Sequence, residues 1–146
     1  MKSFGGAGMR ERLFRGKKKA DGTWVTGFYW NDGIKFHYIR TVEIVTQPER
    51  KNEYSSIKDF NVYPETVSEY TGLTDKHGRK IFEGEIVETN EKYCPKGYVA
   101  YRDDMARFVI IDVWKEPMSM RDMRDLTEYL LIGNIHDNPE LLEVKK

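Results

Sequence analysis

Trp24-Val25-Thr26-Gly27-Phe28-Tyr29-Trp30-Asn31-Asp32-Gly33-Ile34-Lys35-Phe36-His37-Tyr38-Ile39-Arg40 decides the fold class. The first seven residues are rich in aromatic and β-branched side chains, which suit a pleated surface. On a period of two, Trp24, Thr26, Phe28 and Trp30 share one face, and Val25, Gly27 and Tyr29 the other. Asn31-Asp32-Gly33 is a tight-turn signal, and Ile34, Phe36 and Tyr38 then alternate with Lys35 and His37. This predicts a β-hairpin. Upstream, Ala20-Asp21-Gly22 marks another turn, so Arg10–Lys19 adds a third strand and the segment reads as a meander.

Downstream, Gln47–Lys58 is polar and contains Pro48, which predicts a loop. Asn61-Val62-Tyr63 reads as extended chain ahead of Pro64. Pro64–Tyr70 predicts one or two helical turns, with proline first and Glu65 in the first turn. Strands are expected at Ile86–Thr89, Gly97–Arg102, Arg107–Val113 and Glu128–Ile135. Arg107–Val113 is apolar on both faces, as in a barrel or sandwich. Ser119–Leu126 predicts a short helix. A last helix begins at Asn138 and Pro139, with Leu141, Leu142 and Val144 to bury.

The chain has 146 residues, enough for one domain that folds without disulfides or metal. Lys plus Arg number 24 and Asp plus Glu 24, so attraction to a polyanion must come from a local patch. One cysteine, Cys94, excludes an internal disulfide and a cysteine-built zinc site. No apolar run suggests a membrane span, and Met1-Lys2-Ser3-Phe4-Gly5-Gly6 lacks the apolar core expected of a signal peptide. Met1–Gly8 is expected to be a flexible tail, with Met9 an alternative start. The expected location is cytoplasmic.

Catalytic and metal-binding candidates are sparse. His37, His77 and His136 have no second histidine or cysteine at ligand spacing, so zinc is not expected. Cys94 would be a nucleophile only with a base nearby in space. Asp103-Asp104, or Asp122 with Asp125, has the chemistry to hold magnesium. Arg121 and Arg124 alternate with the latter pair, which instead suggests a solvated charged face. No nucleophile elbow or phosphate loop occurs. The expectation is a protein that is not an enzyme, with no cofactor.

Charge along the chain is uneven. Met1–Ala20 carries Lys2, Arg10, Arg12, Arg15, Lys17, Lys18 and Lys19 against Glu11 alone. Asp103–Val144 holds ten acids and four bases. Three explanations are open. Arg10, Arg12, Arg15, Lys17, Lys18 and Lys19, with Trp24 and the aromatic neighbours Phe14, Tyr29 and Trp30, suit a nucleic-acid surface. The opposite ends suit complementarity within the chain or between subunits. Lysines on a strand also protect an edge. Period two puts Arg10 and Arg12 opposite Arg15, Lys17 and Lys19, which weakens a single-face nucleic-acid site.

Two further segments resemble a known family. They are Tyr63-Pro64-Glu65-Thr66-Val67-Ser68-Glu69-Tyr70-Thr71-Gly72-Leu73-Thr74-Asp75-Lys76-His77-Gly78-Arg79-Lys80-Ile81-Phe82-Glu83-Gly84-Glu85-Ile86-Val87 and Ile132-Gly133-Asn134-Ile135-His136-Asp137-Asn138-Pro139-Glu140-Leu141-Leu142. Both resemble the YopX family of phage and prophage proteins, as does the opening from Arg12 to Tyr29. Ser68-Glu69 replaces the usual Gly-Gln, and Glu85 the usual Asp. The resemblance implies a phage or prophage origin, a host-cytoplasmic setting and no assigned reaction. Pro64, Thr71, Gly72, Asp75, Gly78, Gly84, Gly133, Asn134, Asn138 and Pro139 read as structural motif positions, with turns at Gly72 and Gly78 and a bulge or bend at Gly133-Asn134.

The expected fold is mainly β with short helices, a β-rich α+β chain. Residues 9–60 form the N-terminal β-meander and loop. Residues 61–146 form a motif region with a small SH3-like barrel from about Phe82 and a C-terminal helix. One continuous α+β domain is the alternative. The expected role is that of a phage- or prophage-encoded accessory protein acting by binding, to an unknown protein or to itself as a homo-oligomer. The alternative is nucleic-acid binding through the basic strand.

Overall fold

The structure is a computed structural model, and it describes residues 11–88, 96–113, 120–123 and 128–143. Those residues form two antiparallel sheets. The six-stranded sheet contains β1 (Phe14–Lys17), β2 (Trp24–Asn31), β3 (His37–Gln47), β4 (Asn52–Asn61), β5 (Ser68–Thr74) and β6 (Lys80–Phe82). Its order is β4-β3-β2-β1-β5-β6. The five-stranded sheet contains β7 (Glu85–Glu88), β8 (Lys96–Arg102), β9 (Arg107–Asp112), β10 (Met120–Asp122) and β11 (Leu130–Asn134), in the order β10-β9-β8-β7-β11.

The chain passes between sheets through Glu83-Gly84. Gly84 has φ +81°, and its N–H donates to Val99 O at 2.7 Å. Ile135 N–H returns to Gly84 O at 2.9 Å. Gly84 thus extends the ladder on both sides of β7, toward β8 and toward the chain just after β11. The core of the second sheet is Ile81, Val87, Val99, Ile110, Met123 and Tyr129, flanked by Phe108 and Leu131. Each such apolar side chain contributes about 1.5–3 kcal/mol on burial.

The mainly β expectation holds, and four local expectations are corrected. The C-terminal strands are an open sheet, with β10 and β11 as its edges, and not a closed SH3-like barrel. Met120–Asp122 is strand paired with Val109–Ile111, not helix. The remainder of that expected helix lies largely outside the described residues. Pro64–Thr66 is a single 3-10 turn, and β5 begins at Ser68. Gln47–Lys58 is not a loop. β3 and β4 pair residue for residue from Tyr38↔Asn61 to Gln47↔Asn52. Only the turn at residues 48–51 separates them, with Lys51 at φ +52°.

β2 pairs with β3 only as far as Phe28↔Arg40. Beyond Arg40 the β3–β4 ladder continues as a two-stranded arm. At its base, Lys19 N–H donates to Asn61 O and Val62 N–H to His37 O, both at 2.9 Å. The expected C-terminal helix is a 3-10 helix over Pro139–Leu142.

Candidate functional site

The residues marked by the sequence converge on the seam between the sheets. β1 places Arg15 and Lys17 on one face, and the Lys17↔Trp24 register sets Trp24 beside them. The Arg15 guanidinium lies 4.5 Å from the Trp24 ring and 5.0 Å from the Phe82 ring. It makes an ion pair with Glu85, and the two side chains are 12% and 5% exposed. Glu85 also accepts from Phe82 N–H at 2.8 Å. Burial pushes the Glu85 carboxyl upward, against the opposing pull of Arg15.

The second tie uses the chain's last motif. Lys17 pairs with Asp137, and Trp24 Nε1–H donates to Asp137 Oδ2 at 2.7 Å. Asn134 Nδ2–H donates to the same carboxylate at 3.0 Å. These donors, Asn134 first, hold the Asp137 carboxyl far below the usual range. Asn134 Oδ1 accepts from the N–H groups of His136 and Asp137, making a side-chain-closed turn. Asn138 does not cap its helix through its side chain. Its Oδ1 accepts from Asn134 N–H at 3.2 Å. Gly133 lies at a register shift in β11, where a Cβ would fall 2.5 Å from Asn138 Oδ1. Only glycine fits that approach.

The third tie comes from the mid-chain motif. Asp75 is 3% exposed and accepts from His77 N–H, Arg79 N–H and Arg79 Nε–H, each at 2.9 Å. It also accepts from Leu131 N–H of β11 at 3.2 Å. Burial opposes its ionisation, but these donors bring the carboxyl down to about 2. Thr71 Oγ1–H donates to Ile81 O at 2.8 Å, pinning β5 to β6. Gly72 and Gly78 both have positive φ, as their turns require. Pro64 opens the 3-10 turn, and Pro139 follows Asn138 at the start of the last helix.

The basic strand is thus divided. Arg15, Lys17 and Trp24 are engaged in the seam. Lys18 lies 3.4 Å from Asp21 and over the Phe60 ring at 5.0 Å. Lys19 lies over Phe36 at 5.8 Å and Tyr63 at 5.9 Å. Arg12 lines a separate cleft of about 400 Å³ with Glu69, Tyr101, Arg107 and Phe108. Arg10, Cys94, Arg124 and Asp125 lie outside the described residues.

The other candidates disperse. Asp104 pairs with Arg102 at 2.8 Å and Asp122 with Arg107 at 2.6 Å. His37 Nδ1 is 2.6 Å from the Tyr29 hydroxyl. His136 tilts against Trp24, with ring centroids 5.9 Å apart. Burial and then Arg15 lower its tendency to protonate. Sequence reasoning missed the seam roles of Phe82, Glu85 and Asp137. The opposed charge of the two chain ends was their available signal.

Two comparisons agree with this picture. A family model described as "YopX protein" matches residues 13–143. A crystal structure of protein EF1440 from Enterococcus faecalis is similar at 25% identity and a TM-score of 0.56, covering 92% of this chain and 100% of that one. No curated protein matches. The three motifs, the seam they build and the match along most of the chain have one conclusion: this chain belongs to the YopX protein family.

Proposed function

We propose that this chain is a phage- or prophage-encoded accessory protein that acts in the host cytoplasm by binding rather than by catalysis, with the β3–β4 arm as its contact surface. One observation carries the binding role. Val42, Ile44, Tyr54 and Ile57 are 47%, 74%, 49% and 56% exposed on a ribbon that, among the described residues, has no third strand beside it beyond Arg40. Large apolar side chains grouped on a projecting element suit a macromolecular contact. The motif side chains support the same reading, because Arg15, Asp75, Glu85 and Asp137 are spent on joining sheets. The phage setting rests on family membership.

The test is capture by the immobilised chain, from a lysate of cells carrying the encoding prophage or from added soluble copies of itself. A specific binder retained by the wild type and lost on Ile44→Lys is expected. A small-molecule turnover that depends on one side chain of this protein overturns the reading.

A second reading has its own observation. Lys18, Lys19 and Lys35 lie over Phe60, Phe36 and Tyr63, with Lys35 5.6 Å from the Phe36 ring. Cations interleaved with aromatic rings suit single-stranded nucleic acid. Fluorescence anisotropy with DNA and RNA oligonucleotides tests it. Salt-sensitive binding lost on joint replacement of the three lysines by Ala supports it, and no binding at low salt removes it.

A further inference from the structure

We infer that the arm's occupant is a second copy of this chain, joined through β4 in a two-fold antiparallel pair centred on Ile57. This deepens the binding reading above and rests on it.

β4 is the outer strand of its sheet. β3 is covered by β2 up to Arg40, so β4 offers the longer free edge. The hydrogen-bond phase of that edge follows from one contact. Val62 N–H donates to His37 O, in the same register as Phe60↔Ile39 and Lys58↔Thr41. Bonded pairs recur every second residue in an antiparallel ladder. Tyr54, Ser56, Lys58 and Phe60 therefore direct their backbone groups to β3. Glu53, Ser55, Ile57 and Asp59 direct theirs outward. Asn61 continues the phase, since its outward O accepts from Lys19 N–H.

A two-fold axis normal to the sheet that passes beside any residue of β4 pairs outward-directed residues with outward-directed ones, so the backbone leaves the centre open and the side chains select it. A centre at Ile57 matches side chains. The rows across four strands follow from the observed β3–β4 register. On one face Val42 and Ile57 meet the partner's Ile57 and the partner's Val42, a continuous β-branched row. On the other face Ile39 and Phe60 meet the partner's Tyr54 and the partner's Val45. The row Thr41–Lys58 meets the partner's Ser56 and the partner's Glu43. Serine is small enough for the Lys58 ammonium to reach that carboxylate. The shared ladder ends at the row of Phe60 and the partner's Tyr54, because Lys17–Lys19 already pairs with the outer edge of Asn61–Tyr63. Like-with-like apolar pairing and opposite charges across one axis are what cross-strand stability requires. Two-folds at Ser55 and Ser56 also satisfy the backbone, but the first sets Glu53 against the partner's Ile57 and the second sets Glu53 against the partner's Asp59.

The decisive variant is Ile57→Pro. The Ile57 N–H points outward, so proline removes no bond within one chain while blocking the shared edge. Sedimentation equilibrium at about 100 µM is expected to give a dimer for the wild type and a monomer for Ile57→Pro, with unchanged far-UV circular dichroism. A monomeric wild type, or a folded Ile57→Pro that remains dimeric, overturns the pairing. Should the proline variant not fold, Ile57→Cys in a Cys94→Ser background replaces it. Oxidation then links two chains at the axis, and no cross-linked dimer on a non-reducing gel overturns the proposal. A monomeric chain that still captures another protein separates this failure from failure of the binding reading.

Discussion

Asp75 concentrates more of the seam than its place in a polar turn suggests. It accepts two backbone N–H groups and the Arg79 side chain within its own turn, and a third backbone N–H from β11, 56 positions away. A carboxylate with several donors is strongly favoured in its charged form. Its folded value of about 2 lies below the ordinary 3.8. The stability it contributes is therefore complete above the unfolded value and lost as pH falls through the folded one. Asp137, held down by Asn134, Lys17 and Trp24, acts in the same direction. Thermal denaturation is expected to show a flat Tm from neutral pH to about 5 and a decline between about 4 and 2. Asp75→Asn leaves the donors partly unmatched and is expected to cost about 3 kcal/mol, or roughly 10 °C in Tm. It also shallows the acid decline. An equal acid slope in wild type and variant would show that other carboxylates set it.

The arm shows why one element was illegible in the sequence. Strand patterning arises when one face is buried and the other is wet. Among the described residues the ribbon has no sheet neighbour on either side beyond Arg40, so no neighbouring strand imposes alternation on Gln47–Lys58. Pro48 and the polar run then read as loop, although the backbone ladder is complete. The hairpin at Trp24–Arg40 was legible because its rings pack against neighbours, as Trp30 does on Tyr38 at 4.4 Å. The same independence makes the arm removable. Replacing residues 42–57 by Asn-Gly joins Thr41 to Lys58 through a two-residue hairpin turn. The shortened chain is expected to keep its two-sheet fold, with Tm within about 5 °C of the full chain. Its hydrogen-exchange protection in β7–β9 is expected to match. Loss of protection there would show that the arm supports the core.

At the scale of the molecule, the motif residues were found from sequence but their task was not, because the task is a contact between distant segments. Arg15 and Glu85 are 70 positions apart, and Trp24 and Asp137 are 113 apart. Opposite charge at the two chain ends showed only that complementarity was available. The three-dimensional pairing selects it for Arg15 and Lys17, and so removes those two cations from a nucleic-acid surface. The Arg15–Glu85 pair is also the point where coupling between the sheets can be measured. Arg15→Met leaves the carboxylate buried with its Phe82 N–H donor but without its ion-pair partner. The expected cost is about 3 kcal/mol in urea denaturation at neutral pH. Adding Glu85→Gln keeps an acceptor for Phe82 N–H without the charge, and is expected to recover at least half of that loss.

The pH dependence has a definite sign. Burial already raises the Glu85 carboxyl above 4.5, and losing Arg15 raises it further. The folded variant then favours the protonated acid. Its stability is retained below the unfolded value and lost as pH rises through the folded one. The Arg15→Met penalty should therefore be small near pH 4 and full at neutral pH. The Glu85→Gln double variant should show no such trend. A penalty independent of pH, or costs that simply add, would mean that the pair acts by packing between Trp24 and Phe82 rather than by charge.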